Sequence, residues 1–509
     1  MKKYQVNIII FFFLFLGMTC SREVAEAKEV RGIWVSCFDY AATGLANQTE
    51  AGFREHAVKL FQNIKANGCN TVFFHVRSFD DVIYPSQTFS FSPYMSRSKL
   101  TYDPLAILVT QAHQNGLEFH AWLNPYRVTY SKILNPALES SRERVLQAVR
   151  EIIMNYDVDG IHFDDYFYPS GSNKEYKKYK TVSIADKQNN VNLLIQSVYQ
   201  LVKKTKPSLD FGISPAGDIS YSKSIGADMN TWMSQRGYID YIIPQIYWTD
   251  NYLVDGKETS MFSNRVNEWK TKNKIDVKMY WGLALYRSGM THAQDLGWKK
   301  RSNNLAIQVA KLRKLNSDGF VFFSYQDLYQ HHAWAEWKNV LYEIGSITKV
   351  PSNKKMSVGQ RFTIQYEVWP SRMEGKVTFE SSNPKVAHVN STGVVQAKRT
   401  GSAKVWIKLG KHKKVSCTIS VSLSSVKKIF VKKKSKKRIK IFWNKTIGAK
   451  SYQIYMKIRK KASYQRVKTV RHNSAVISYR KYKKKKFWLK VKACAGGYSS
   501  DSKTLTLHV

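Results

Sequence analysis

Two adjacent carboxylates, Asp164 and Asp165, end the apolar stretch Asp159-Gly160-Ile161-His162-Phe163 and give way to Tyr166-Phe167-Tyr168-Pro169. Proline stops a strand there, so the pair falls where a strand meets its following loop. Hydrolysis at a glycosidic carbon needs one protonated carboxyl for the leaving oxygen and one ionised carboxylate as nucleophile or base. The plainer reading is a solvated pair that caps the loop. Side chains alternate along a strand. If His162 points inward, so does Asp164, while Asp165 faces the helices or the loop above. Asp164 is therefore expected as the inward catalytic carboxylate. Asp165 is its electrostatic partner, or the acid if the strand bulges. The second carboxylate is expected on another strand end, with Asp218, Asp250 and Asp327 as candidates.

The elements that must hold this pair recur eight times. Strand-like segments are Val30–Ser36, Thr71–Arg77, Leu117–Asn124, Asp159–Asp165, Phe211–Ala216, Tyr241–Trp248, Met279–Tyr286 and Phe320–Gln326. Between them, Glu50–Ala66, Asp103–Asn115, Ser140–Tyr156, Ala185–Lys204 and Asn304–Asn316 place apolar residues at helical spacing. Asn67-Gly68 and Asn115-Gly116 supply helix stops. This alternation predicts a (β/α)₈ barrel. A doubly wound sheet is the alternative, but no glycine-rich phosphate loop follows the first strand. After Gly345 short alternating strands predict two small all-β sandwiches. The expected division is a leader over 1–27, the barrel over 28–346, and sandwiches over 347–424 and 425–509.

Barrel enzymes carry their chemistry at the C-terminal strand ends. In this chain those ends supply Ser36 and Phe38, Arg77 with Asp80 and Asp81, Asn124, Tyr126 and Arg127, then Asp164, Asp165 and Tyr166. The later ends supply Ser214 and Asp218, Gln245, Tyr247, Trp248 and Asp250, Tyr286 and Arg287, and Gln326 and Asp327. Trp122, Tyr247 and Trp248 could stack on sugar rings. His75, His120 and His162 share one depth, and a His–Arg–Asp hydrogen-bond layer is expected there. No HxH or HExxH spacing accompanies them, so neither metal nor other cofactor is expected.

The formal charge of +44 is unevenly spread. Residues 347–424 carry 14 Lys and Arg against 3 acids, and residues 425–509 carry 27 against the single Asp501. Lys2-Lys3, the apolar run Ile8–Leu16 and Ala25-Glu26-Ala27 read as a cleaved secretory leader, preferred over a lipoprotein at Cys20. A secreted or surface-associated protein without a further membrane-spanning segment is the expectation. Its basic C-terminal modules then fit an anionic cell-envelope polymer rather than nucleic acid. Cys37, Cys69, Cys417 and Cys494 show no metal or disulfide spacing.

The segments EVRGIWVS, FHVRSFDDVIYPS, FHAWLNPYR, DGIHFDDYFYP, FGISPAG and IDYIIPQIYW resemble, in order, glycosyl hydrolase-like family 10, bacterial (β/α)₈ enzymes of the cell envelope. The resemblance implies glycoside hydrolysis, with bacterial glycan such as peptidoglycan strands as substrate. It puts the catalytic centre at Asp164 and Asp165 and matches Arg77, Asn124, Arg127, Gln245 and Tyr247 to positions that line the family's groove. Tyr126, His162, Tyr166 and Trp248 join them as substrate-binding candidates from their strand ends. Ala216 departs from the bulky residue expected after Ser214-Pro215. Residues from about 347 to 424 are similar to bacterial group 2 Ig-like domains, and WNKTIGAKSYQIYMK resembles a fibronectin type III sandwich. The rival readings are a non-catalytic glycan-binding or adhesion protein and a metal-dependent deacetylase or amidase.

Overall fold

The computed structural model describes residues 29–509 apart from 99, 172, 412, 436, 479, 481–485, 501–503 and 509. The expected leader, Cys20 and most of the basic run 481–486 therefore lie outside the described residues. Among those described, no helix is long and apolar enough to cross a membrane.

Eight parallel strands close into a barrel: β1 Val30–Val35, β2 Thr71–Arg77, β3 Glu118–Leu123, β4 Gly160–Asp164, β5 Asp210–Ser214, β6 Tyr241–Ile242, β7 Lys278–Ala284 and β8 Gly319–Phe323. β1 pairs with both β2 and β8, which closes the ring. All eight expected strands are present. The sixth is shortest, because Pro244 withholds a ladder donor and ends regular pairing two residues after Ile242.

Helices α1 Glu50–Ala66, α2 Pro104–Gln114, α3 Glu139–Asn155, α4 Ile184–Thr205, α5 Met261–Lys272, α6 Asn304–Lys314 and α7 Trp334–Ile344 surround it. Their starts are set by side chains: Thr49 accepts from the Gly52 N–H, Asp103 from Ala106 and Ser183 from Asp186. Gly68 and Gly116, at φ +84 and +63, turn the chain after α1 and α2 into the next strand.

The barrel interior is filled by alternating small and large side chains. Trp34, Phe73, Trp122, Tyr241, Ile243, Tyr280 and Val321 form a buried inner cluster. A β-carbon on Gly160 would collide with the His120 ring, and one on Gly212 with Tyr241. The glycines leave room for rings that fill the barrel up to the site's floor.

Beyond the barrel the described residues form β structure, with one 3-10 turn at Ser371–Met373. Asn353–Ser357, Lys413–Ser422, Gly401–Leu409 and Val377–Ser381 form one four-stranded sheet, facing a three-stranded sheet of 361–363, 394–397 and 387–389. The expected strand Phe362–Val368 is broken into Arg361–Thr363 and Glu367–Trp369. Two further sheets follow: Ile429–Ser435, Arg438–Trp443 and Ser474–Ser478 in one, and Gln465–Val470, Ser451–Lys457, Lys486–Ala495 and two short strands in the other. The lysine run from 432 lies on a hairpin strand rather than in a loop. At the barrel's N-terminal end, the Arg31 guanidinium sits 4.6 Å over the Trp369 ring. That contact ties the first β module to the face opposite the strand C-termini. All four described cysteines are free thiols.

Candidate active site

A cavity of about 220 Å³ opens at the C-terminal ends of the strands. Asp164, the last residue of β4, lines it together with Asp165, Trp34, Ser36, Phe38, His75, Trp122, Asn124, Arg127, Tyr166, Ser214, Gln245, Tyr247, Tyr286 and Phe323. Asp165 was expected to face away. The chain leaves the strand at Asp164, so strict alternation no longer applies, and both carboxyls face the cavity.

The two carboxyls are held differently. Asp164 Oδ1 accepts from the Asp165 backbone N–H at 2.8 Å and from Gln245 Nε2 at 3.3 Å. Asp165 Oδ2 accepts from the Ala216 N–H at 2.9 Å. Burial raises the pKa of Asp164, against these donors and the Arg127 charge. Burial also raises Asp165, and the neighbouring Asp164 charge pushes it well above the carboxylate range. Two such acids cannot both ionise cheaply, and the upward push is the stronger at Asp165, which carries the charge of Asp164 beside it.

The floor is neutral. His162 is fully buried; its Nε2 takes the Trp34 indole N–H at 3.3 Å, with Ser214 Oγ 3.0 Å away. An indole can only donate, so the His162 proton must be on Nδ1, which faces the Tyr241 hydroxyl at 3.2 Å. That hydroxyl lies 3.0 Å from His120 Nδ1. His75 stacks flat on Trp122 with centroids 3.8 Å apart. Burial holds all three imidazoles below their usual pKa. The layer is therefore His–Tyr–Trp–Ser, not the His–Arg–Asp layer expected.

Five expected substrate-binding residues line the cavity: Asn124, Arg127, Tyr166, Gln245 and Tyr247. Asn124 donates to the Ser78 carbonyl at 2.6 Å, and its Oδ1 is buried without a partner. Arg127 lies 4.1 Å from the centroid of Tyr166 and 5.2 Å from those of Phe79 and Tyr130. Phe38, 47% exposed, stacks on Tyr130 at the rim. A second groove of about 280 Å³ shares Arg127, Asp165 and Tyr166 and runs on along Tyr130, Tyr168, Pro169 and Tyr221. The mouth is thus longer than one sugar ring.

Four expected positions are elsewhere. Arg77 is fully buried and donates to the carbonyls of Asn124 and Pro125 at 2.6 and 3.1 Å and to Asp80 at 2.8 Å. The register shift between His75 and Arg77 turns it out of the barrel, so it braces the loop that carries Arg127. Tyr126 is fully buried behind the same loop. His162 belongs to the floor. Trp248 lies beyond Pro244, near Gly217, and no longer follows strand alternation.

The candidate second carboxylates are also spent. Asp218 caps a short helix and pairs with Arg265 at 2.5 Å. Asp250 accepts from Ser263 and pairs with Lys311. Asp327 closes the turn at Ser324. None lines the cavity, whose carboxylates are Asp164 and Asp165. Phe323 went unnoticed in the sequence because an apolar residue at a strand end carries no polar signal.

The glycosyl hydrolase-like 10 family model matches residues 29–133 and 127–300, and the bacterial Ig-like domain (group 2) model matches 344–419. Glycosyl hydrolase YngK of Bacillus subtilis (strain 168) is 27% identical over 389 residues, 64% of this chain and 74% of that protein. Glycosyl hydrolase DigH of Escherichia coli (strain K12) is 28% identical over 344 residues, 54% of this chain and 77% of its own. The solved PgaB (BpsB) glycoside hydrolase domain from Bordetella bronchiseptica is a distant likeness, with 12% identity and a TM-score of 0.43 over 62% of this chain and 99% of that one. A closed parallel barrel with its carboxyl pair at the mouth, and a family match across more than half the sequence, place the chain in the glycosyl hydrolase-like 10 family, and it is a glycosidase.

Proposed function

We propose that the enzyme cuts a bacterial envelope polysaccharide built of N-acetylated sugars, peptidoglycan glycan strands foremost, at Asp164 and Asp165. One observation carries this reading. The cavity's carboxyls are two buried neighbours whose charges disfavour each other, while the facing wall is Trp34, Tyr247, Tyr286 and Phe323. No carboxylate faces the pair from that wall to act as a protein nucleophile. Some glycosidases use the substrate's own acetamido oxygen for that step.

In this mechanism the acetamido oxygen attacks the anomeric carbon as the glycosidic C–O bond breaks. Asp165 gives its proton to the leaving oxygen. Asp164, ionised, accepts from the acetamido N–H and stabilises the cation that forms. Water then attacks the same carbon and loses its proton to Asp165, so configuration is retained. Arg127 and Asn124 orient the sugar through its oxygens, and Tyr166 and Phe38 offer ring faces along the longer groove.

The reading also makes the protein exported, which rests on residues 1–27, and makes the basic terminal module its hold on an anionic polymer of the same envelope. The test is incubation of residues 28–509 with purified peptidoglycan glycan, with and without stem peptides, followed by mass spectrometry. New reducing ends that vanish in both Asp164→Asn and Asp165→Asn support it. Cleavage that survives both substitutions would remove the pair from the chemistry.

A further inference from the structure

In the basic module, one face of the sheet around Lys486–Ala495 alternates aromatic rings with lysines. Strands Ser451–Lys457 and Lys486–Ala495 pair so that Tyr455 lies opposite Lys490 and Lys457 opposite Trp488. The intervening residues Ile454, Phe487, Leu489 and Val491 are fully buried, so the first set forms the outer face. The Lys490 ammonium is 4.4 Å from the Tyr464 centroid, and Lys457 is 4.9 Å from the same ring and 5.7 Å from Trp488. Lys486 lies 5.8 Å from Trp488 and Lys492 5.9 Å from Tyr455.

A merely solvated face needs no rings beneath its lysines. Here each ring attracts an ammonium and holds a side chain that would otherwise sample many rotamers. Like charges are thereby kept close together on a rigid sheet. No acidic residue stands among the described residues of this module, whose single acid is Asp501. The repulsion is left for an outside anion to relieve. A row of fixed cations fits a polymer with repeated anionic groups, because the ordering cost is met before binding.

We propose that this face binds an acidic polysaccharide, its carboxylates meeting Lys457, Lys490 and Lys492 and its sugar rings lying against Tyr455 and Trp488. A glycan is favoured over nucleic acid because the same chain carries a glycosidase barrel. Holding one envelope polymer raises the enzyme's local concentration at another. The proposal rests on the basic module's proposed hold on an anionic polymer and names its face and ligand, while standing or falling apart from the catalytic reading at Asp164 and Asp165.

The test measures binding of the full chain to immobilised polygalacturonate, neutral dextran and poly(dT) across a salt series. Binding to polygalacturonate and not to dextran is expected. The triple variant K457Q/K490Q/K492Q weakens it roughly tenfold, while K385Q/K398Q/K411Q, which removes equal charge from the Ig-like module, weakens it less than about twofold. Y455A/W488A leaves the charge unchanged and weakens binding about threefold or more. Thermal melts and hydrolysis of soluble glycan are expected to stay at wild-type values in all three. Equal weakening by the two lysine triples would reduce the effect to total charge and overturn the proposal. So would tighter binding to poly(dT) than to polygalacturonate, or no binding to polygalacturonate at the lowest salt.

Discussion

The backbone N–H of Asp165 donates to Oδ1 of Asp164 across 2.8 Å, so the second aspartate stabilises the charge of the first. The Ala216 N–H on Asp165 does not offset burial and the charge beside it. In the proposed mechanism this asymmetry gives two chemically identical side chains different roles, Asp164 the stabiliser and Asp165 the acid.

Asp165→Asn should lower kcat about 10²–10⁴-fold and abolish the basic limb of the pH–rate profile. The same substitution should raise the melting temperature at pH 7. The folded-state pKa of Asp165 is raised, so the native state binds more protons than the unfolded one above the ordinary carboxylate range. Stability therefore falls as pH rises between the unfolded and folded values. The gain should shrink towards pH 4, and a lower melt at pH 7 would contradict the assigned proton.

Asp39 gives a second pH effect away from the cavity. It is fully buried, accepts from the Ser36 N–H at 2.6 Å, and burial raises its pKa to about 6. Its protonated form stabilises the fold fully below the unfolded value of about 3.9, and that contribution is lost as pH rises through about 6. Asp39→Asn should flatten this part of the stability–pH curve in calorimetry, its advantage growing between about pH 3.9 and about pH 6 and complete above that.

Arg77, at the end of β2, and Arg127, on the loop after β3 that Arg77 braces, should separate cleanly. Arg77→Ala removes two buried hydrogen bonds to the Asn124 and Pro125 carbonyls and a partly buried one to Asp80, and should cost about 3–5 kcal/mol of stability. Arg127→Ala should change stability by less than about 1 kcal/mol yet raise KM. Denaturant melts and steady-state kinetics on both variants check the contrast.

If the substrate's acetamido oxygen is the nucleophile, an N-acetylhexosamine thiazoline should inhibit competitively, and chemically de-N-acetylated glycan should resist cleavage. Inhibition assays and product analysis on the paired polymers decide it. Equal cleavage of both polymers would overturn acetamido participation and leave water or a protein group as the nucleophile.

Much of this architecture was legible because strand and helix periods are written plainly in the barrel, and the Asp164–Asp165 pair stood where an apolar run meets Pro169. What was not legible came from local departures from period two. A bulge after His75 turned Arg77 outward, Pro244 cut β6 short and displaced Trp248, and the end of β4 at Asp164 let Asp165 turn back to the cavity. Strand 429–435 was hidden because a lysine run reads as solvated loop, although pairing with Arg438–Trp443 needs only alternate apolar residues. Partners in space, such as Arg265 for Asp218, leave no trace in local sequence.

The seat of Trp369 over Arg31 has a geometric outcome for the whole enzyme. The first β module is bolted to the base of the barrel, and no residue beyond 345 lines the cavity. The first module therefore takes the end of the barrel away from the chemistry, and its seat there leaves the cutting mouth uncovered.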